Sequence, residues 1–84
     1  MDKKISNATM SRYPVYLKAL RKMQHEGKEN CLSSELSSLT GIQDTTIRRD
    51  FTYLSKTDNF GQRGKGYDVK HLIDGLSEVL GLGL

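Results

Sequence analysis

The clearest pattern of hydrophobic and polar positions lies in residues 45–56, which read TTIRRDFTYLSK. At about 100° per residue, a helix here would place Ile47, Phe51 and Leu54 on one apolar stripe. The opposite face would carry the polar residues Thr45, Arg49, Thr52 and Lys56. Hydroxyl groups interleaved with cationic groups suit a surface that approaches phosphates and base edges. The pattern predicts the recognition helix of a DNA-binding domain.

The N-terminal part of the chain also has the period of an amphipathic helix, with apolar residues three and four positions apart. This stripe consists of Met10, Tyr13, Leu17, Leu20 and Met23. A helix is therefore predicted from about Asn7 to Glu26, with Gly27 as its stop. Because Pro14 lacks a backbone N–H, the helix either begins near Ser11 or is kinked at the proline.

A short strand and a second helix are predicted next. The apolar step at residues 30–32 is long enough for a strand of two or three residues. Ser33 is predicted to be the N-cap of a short helix that carries Leu36 and Leu39 and is ended by Gly41. The Ser33 hydroxyl, beside free N–H groups, is also a candidate phosphate contact.

The link between the second and third helices is short. Gly41 suits a left-handed backbone, Ile42 is free to point inward, and Asp44 suits the positive end of the helix that follows. Two helices joined in this way form the helix-turn-helix arrangement, whose second helix enters the major groove. Many helical hairpins that bind nothing share the pattern, so this spacing alone leaves DNA binding open.

Residues 60–67, FGQRGKGY, have glycine at three of eight positions and do not suit a helix. Phe60 and Tyr67 predict two short strands of a hairpin around a glycine-rich tip. Arg63 and Lys65 would project from the tip, where arginine suits the minor groove of A/T-rich DNA. The alternative is a solvated basic loop. Nucleotide binding is not predicted, because the GxxxxGK[ST] and GxGxxG patterns are both absent.

A last amphipathic helix is predicted to begin after Asp68, which suits its N-cap. Its apolar stripe consists of Val69, Leu72, Ile73, Leu76, Val79 and Leu80. After Gly81, the apolar residues Leu82 and Leu84 either pack back onto the domain or lead towards a second domain.

Composition and charge narrow the class of protein. With 84 residues, 36% hydrophobic and 27% charged, the chain suits one small globular domain. The single cysteine, Cys31, excludes an internal disulfide, and no apolar run is long enough for a membrane span or a signal peptide. A soluble, cytoplasmic protein is expected. The net charge is only +3, but residues 45–67 carry five basic groups against two acidic ones.

Catalytic and metal sites are not predicted. His25 and His71 have no carboxylate or cysteine at ligand spacing, and no serine lies in a nucleophile-elbow pattern. The sequence therefore gives no reason to expect an enzyme.

Taken together, these segments resemble the N-terminal winged-helix domain of the Rex family of redox-sensing transcriptional repressors. The matching residues are Ala8-Thr9, Arg12–Leu17, Ser33, Glu35-Leu36, Gly41-Ile42, Ile47–Tyr53 and Phe60–Val69. The specific feature is IRRDFTY followed by FGQRGKGY, since TIRRD alone also occurs in DeoR-type repressors. The glycine-rich stretch, followed by YDV and an apolar helix, favours Rex.

The resemblance implies a mainly α winged helix-turn-helix over residues 1–84, with about four helices and a wing of two or three strands. It implies binding to operator DNA as a homodimer, with a recognition helix in the major groove and a wing in the minor groove. A Rossmann domain, following a linker near residue 81, would sense NADH and NAD. No dinucleotide site is present here, so no cofactor is expected in this chain, and the chain alone should be monomeric or weakly dimeric.

The resemblance also implies which residues contact DNA: Arg48 and Arg49 from the helix, Arg63 and Lys65 from the wing, with Tyr67 as a hinge aromatic. The full expected set is Ser33, Thr45, Thr46, Arg48, Arg49, Thr52, Tyr53, Lys56, Arg63, Gly64, Lys65 and Tyr67. The helical wheel adds that Arg49 points into the groove and Arg48 lies on the flank.

Two departures from the family pattern are visible. Asp44 stands where the family commonly has proline, and the connection at residues 55–59 is about two residues longer than usual, which affects the register of the predicted wing. Two alternatives stay open: a winged helix used for protein–protein contacts, and a DeoR-type repressor domain.

Overall fold

The computed structural model describes residues 5–54 and 66–81. In chain order the elements are α1 (Asn7–His25), β1 (Asn30–Cys31), α2 (Ser33–Thr40), α3 (Asp44–Phe51), β2 (Tyr67–Asp68) and α4 (Val69–Val79). This arrangement confirms the predicted mainly α winged-helix fold with four helices and a small sheet. Residues 55–65, which include most of the predicted wing, and the C-terminal Leu82 and Leu84 lie outside the described residues, and the linker near residue 81 stays a prediction.

Helix α1 runs through its proline. It begins at Asn7, where the Ser6 hydroxyl accepts a hydrogen bond of 3.1 Å from the backbone N–H of Thr9. Pro14 lies inside the helix, so a start near Ser11 is wrong. The predicted C-terminus is confirmed within one residue, and Gly27 follows with a φ of +85°.

Helix α2 begins one residue earlier than predicted, so the assignment of Ser33 as its N-cap is wrong. Leu32 is the N-cap residue, and Ser33 is the first residue of the helix, with only 8% of its surface exposed. The Leu32 backbone N–H donates to Glu35 Oε1 at 2.7 Å, and the Glu35 backbone N–H, which a capping hydroxyl would bind, donates to the Leu32 carbonyl at 3.0 Å. The predicted end is confirmed, because Gly41 has a left-handed φ of +77°.

Helix α3 is shorter than predicted, because it ends at Phe51, five residues before the predicted end. The backbone N–H groups of Thr52 and Leu54 bond to carbonyls three residues back, which marks a tighter turn. The Thr52 hydroxyl also donates to the Arg49 carbonyl at 2.6 Å.

The small sheet joins distant parts of the chain. Strands β1 and β2 are antiparallel, with Asn30 opposite Asp68 and Cys31 opposite Tyr67. The predicted strand at Tyr67 is therefore confirmed, but its partner among residues 5–54 and 66–81 is β1, a pairing that the sequence did not predict. The hairpin partner predicted around Phe60 lies outside the described residues.

The core lies between α1, α2, α3 and α4. Its buried apolar side chains are Tyr13, Tyr16, Leu17, Leu20, Met23, Cys31, Leu36, Ile47, Phe51, Leu54, Val69, Leu72 and Leu76. The predicted cap of α4 is confirmed, since the Asp68 carboxylate accepts from the His71 backbone N–H at 2.9 Å. Over the two described ranges, no helix has the length and apolarity needed to cross a bilayer.

Candidate nucleic-acid interface

The turn between α2 and α3 fixes how α3 is presented. The Gly41 backbone N–H donates to the Ser37 carbonyl at 2.8 Å, and the Ile42 N–H donates to the Thr40 hydroxyl at 3.2 Å. Ile42 is partly buried and packs against the core. The turn is thus held by backbone and side-chain bonds, and α3 leaves it at a fixed place on the domain.

Helix α3 and the turn after it have the two faces that the sequence predicted. Ile47, Phe51 and Leu54 are buried, with 0%, 1% and 2% of their surface exposed. The exposed residues on the other side are Thr45, Arg48, Arg49 and Thr52, while Thr46 and Tyr53 are partly buried. One side of the helix therefore anchors it, and the other side presents hydroxyl and guanidinium groups to solvent.

The two arginines of α3 have different surroundings. Arg48 Nε lies 3.4 Å from Asp44 Oδ1 one turn earlier, and both side chains are well exposed. Such an exposed pair contributes about 0.3–0.5 kcal/mol to helix stability. Within the described part of the chain, Arg49 has no ion-pair partner. Arg49 is therefore the α3 cation that is not compensated by a neighbouring carboxylate.

A shallow depression of about 300 Å³ lies beside Arg49, between α1 and α3, and is lined by Arg12, Thr45, Thr46 and Arg49. Three of these residues belong to the predicted DNA-contact set, and the structure places them around one concavity. The sequence did not predict Arg12 as a fourth member, because the helical periodicity of α1 describes only its buried stripe.

Arg12 is held in place by Asp50, a carboxylate with 1% of its surface exposed. Arg12 Nε donates to Asp50 Oδ2 at 2.6 Å, and Arg12 Nη2 donates to Oδ1 at 2.9 Å. This fork-to-fork geometry makes a strong, directional pair. The Thr9 hydroxyl donates to Oδ1 at 3.3 Å, and the Tyr16 hydroxyl donates to Oδ2.

A fifth bond reaches the backbone of the same residue, because the Tyr13 hydroxyl donates to the Asp50 carbonyl at 2.7 Å. We call Thr9, Arg12, Tyr13, Tyr16 and Asp50 the Asp50 network. Four of its members come from α1 and one from α3. The network therefore ties α3 to α1.

No role was predicted for Asp50 from the sequence, although a signal was present. At about 100° per residue, Asp50 falls on the same arc as Ile47, Phe51 and Leu54. A carboxylate inside an apolar stripe predicts a buried partner, because burying an unpaired charge is costly.

The ionisation of the Asp50 network follows from these contacts. Burial raises the pKa of the Asp50 carboxyl, but hydrogen bonds from Arg12 and Tyr16 outweigh it and hold that pKa below its usual range. Burial, followed by the charge of Asp50, raises the pKa of Tyr13 to about 12. Burial and the bond to Asp50 also raise the pKa of Tyr16. At neutral pH the network contains an ionised carboxylate and neutral phenols.

A chain of aromatic rings extends from α1 to the base of the predicted wing. The ring centroids of Tyr16 and Phe51 are 5.2 Å apart, as are those of Phe51 and Tyr67, and both pairs meet edge to face. Tyr13 packs beside Tyr16 at 6.2 Å. The pKa of Tyr67 is raised, because the effect of burial outweighs the opposing effect of the nearby Arg48 charge. Phe51 thus links α3 to β2.

Gly66 forms the entry to β2 and has a φ of +75°. A Cβ atom at this position would lie 2.5 Å from the Cys31 carbonyl oxygen and 3.0 Å from Leu32 Cδ2. Both the backbone conformation and the close approach of β1 therefore require glycine.

The described structure does not place the remaining predicted DNA-contact residues on this surface. Ser33 lies at the start of α2 with only 8% of its surface exposed, and its contact with a phosphate stays a prediction. Lys56, Arg63, Gly64 and Lys65 lie outside the described residues. Within residues 5–54 and 66–81, no group of three His, Cys, Asp or Glu side chains could hold a metal ion.

Comparison with known proteins decides the family. A family model described as "Putative DNA-binding protein N-terminus" matches residues 4–52. The chain belongs to this family. Its resemblance to the N-terminal domain of Rex proteins is confirmed by relatives that carry that name. The redox-sensing transcriptional repressor Rex of Streptococcus agalactiae is 38% identical over 80 residues, which are 95% of this chain and 37% of the relative.

A second Rex, from Lysinibacillus sphaericus, is 42% identical over 77 residues, covering 92% of this chain and 35% of the relative. The chain spans about a third of the length of these relatives. Both relatives are named as transcriptional repressors.

Solved structures agree with the Rex-type fold. The structure of RSP in complex with beta-NAD+ and operator DNA matches with a TM-score of 0.81 and 32% identity, over 96% of this chain and 36% of that one. A structure of RSP described as a Rex-family repressor matches with a TM-score of 0.73 and 31% identity, over 95% and 34%.

Proposed function

We propose that this chain is the operator-reading domain of a redox-responsive transcriptional repressor of the Rex type. Helix α3 enters the major groove, and the predicted wing at residues 60–67 reaches the minor groove. The observation that carries the proposal is the match, at a TM-score of 0.81, to a relative described in complex with operator DNA. The exposed hydroxyl and guanidinium groups on α3 of this chain support it, because they suit phosphates and base edges.

We propose that the response to NADH and NAD, and most of the dimer contact, belong to a Rossmann domain outside these 84 residues. The two relatives are named as redox-sensing, and RSP is described with beta-NAD+, which supports this division. The chain by itself is then monomeric or weakly dimeric and binds its site less tightly than a full-length dimer.

Within α3, Arg49 contacts a base and Arg48 serves the phosphate backbone. This division is supported by the ion pair between Arg48 and Asp44, and by the lack of such a partner for Arg49 within the described ranges. An arginine that bonds both acceptors of a guanine contributes about 1–3 kcal/mol of discrimination, whereas a phosphate contact contributes affinity without sequence preference.

The experiment has two steps. Selection from a random duplex library with this chain defines its preferred site, and binding isotherms are then measured on that duplex and on a scrambled duplex. Arg49→Ala should lower the ratio of the two affinities by about fivefold or more. Arg48→Ala should weaken binding to both duplexes and reduce the salt slope by about 1.

Arg21→Ala is the matched control, because it removes the same charge from a groove between α1 and α4 that is lined in part by Leu17 and Leu80. It should change neither the affinity ratio nor the salt slope. Identical effects of Arg48→Ala and Arg49→Ala would contradict the division of roles. A selection that recovers no preferred duplex would contradict the proposed function.

A further inference from the structure

The buried side of α3 carries two kinds of contact with different directional properties. Ile47 and Phe51 have 0% and 1% of their surface exposed, and they hold the helix against the core. Apolar burial is non-directional, so it fixes the distance of the helix from the core but constrains the rotation of the helix about its own axis less strongly. Asp50, between them, accepts hydrogen bonds from three side chains of α1. These bonds depend on angle as well as distance.

Rotation of α3 determines what its arginines can reach. With side chains, a helix has a radius of about 5–6 Å, so a rotation of about 20° moves a side-chain tip by about 2 Å. A shift of that size breaks a hydrogen bond to a base edge. It affects phosphate contacts less, because long cationic side chains adjust to a repeating backbone charge.

From these observations we infer that Asp50 is a positioning residue for sequence recognition: its carboxylate fixes the rotation of α3 and so aims Arg49 at the base edges. The inference rests on the proposed function. Asp50 does not touch DNA, because it is buried, and acts through its neighbour in the helix. The Asp50 network is therefore a specificity device as well as a packing contact.

A purely structural role for Asp50 makes a different prediction. If its replacement only lowers stability, the folded fraction falls, and the apparent affinities for every duplex fall by the same factor. The ratio of preferred-site to scrambled-site affinity then stays constant. If Asp50 positions Arg49, this ratio falls even when the protein is fully folded.

The first test compares Asp50→Asn with Leu72→Val, a core variant on α4 outside the Asp50 network. Both are measured on the selected duplex and on its scrambled form, under conditions where circular dichroism shows each variant folded. Asp50→Asn should lower the affinity ratio about tenfold, as expected for the loss of one base contact. Leu72→Val should leave the ratio within a factor of two of the parent. An unchanged ratio for Asp50→Asn would overturn the inference.

Tyr16→Phe gives a second, milder variant. It keeps the ring against Phe51 and removes the hydroxyl that donates to Asp50, and Tyr16 is fully buried, so it cannot contact DNA. The affinity ratio should fall in the same direction by a smaller factor. If Asp50→Asn does not fold, this variant decides, and an unchanged ratio counts against the inference.

A measurement without DNA separates this inference from the proposed function. Residual dipolar couplings of backbone amides report the orientation of α3 relative to α1 in the parent and in each variant. A reoriented α3 in Asp50→Asn supports positioning by the carboxylate, and an unchanged orientation overturns it. If the parent shows no preference for any duplex, the proposed function fails, while the couplings still report whether Asp50 sets the helix.

Discussion

Replacing Gly66 by alanine tests the geometry that joins the predicted wing to the domain. The left-handed backbone at this position costs a residue with a Cβ roughly 1–2 kcal/mol. The new methyl group would also lie 2.5 Å from the Cys31 carbonyl oxygen and 3.0 Å from its carbon. Because those atoms belong to the backbone of β1, the two strands must separate, which weakens ladder hydrogen bonds of about 1 kcal/mol each.

The expected loss for Gly66→Ala is therefore about 2–4 kcal/mol in the free energy of unfolding. In a domain of this size, that corresponds to a fall in Tm of very roughly 10–25 °C. Urea and thermal unfolding followed by circular dichroism would measure both quantities.

Gly41→Ala is the matched control, because Gly41 has a similar φ of +77° but no atom within 4 Å of an added Cβ. It should lose only the conformational part, about 1–2 kcal/mol. The difference between the two variants isolates the contact with β1. Equal destabilisation of Gly66→Ala and Gly41→Ala would show that β1 does not restrict position 66.

Two further predictions concern ionisation. Burial raises the pKa of the Cys31 thiol to about 11. Iodoacetamide should therefore alkylate the folded chain at pH 8 at least about 100-fold more slowly than the urea-unfolded chain, because a pKa raised by about two units leaves correspondingly less thiolate. Equal alkylation rates would contradict the burial of Cys31. The pKa of Asp50 is held below its usual range in the folded chain. The stability that the ionised carboxylate contributes is therefore complete above its pKa in the unfolded chain, about 4, and is lost as the pH falls through its pKa in the folded chain. Urea unfolding from pH 7 to pH 2 should therefore show a smaller acid loss in Asp50→Asn than in the parent, and parallel curves would count against this linkage.

Much of the fold could be predicted from hydrophobic periodicity, because most helices here bury a single face. The stripe of Ile47, Phe51 and Leu54 placed the anchored side of α3 correctly, and the Asp68 cap and apolar stripe did the same for α4. These features are local: each depends on residues a few positions apart. The same local reasoning misplaced the start of α2, because the Leu32 N–H bonds to the Glu35 carboxylate and the Glu35 N–H bonds to the Leu32 carbonyl, without a serine cap.

The features that could not be predicted depend on residues far apart in the chain. The partner of β2 is β1, more than thirty residues earlier, and no periodicity links Cys31 to Tyr67. Asp50 looks like an ordinary charged helical residue until Arg12 and Tyr16 are brought beside it. The candidate interface was predicted in part, since the exposed face of α3 follows from its stripe, while the support beneath it depends on tertiary packing.

Sequence reading by α3 is tested most directly by the affinities of the unmodified chain for its selected duplex and for a scrambled duplex of the same composition, measured at several salt concentrations. We expect the selected duplex to be preferred at every salt concentration, even as salt weakens both affinities, and this preference to fall about fivefold or more in Arg49→Ala. Equal affinity for the two duplexes at every salt concentration would contradict the claim that α3 reads a DNA sequence.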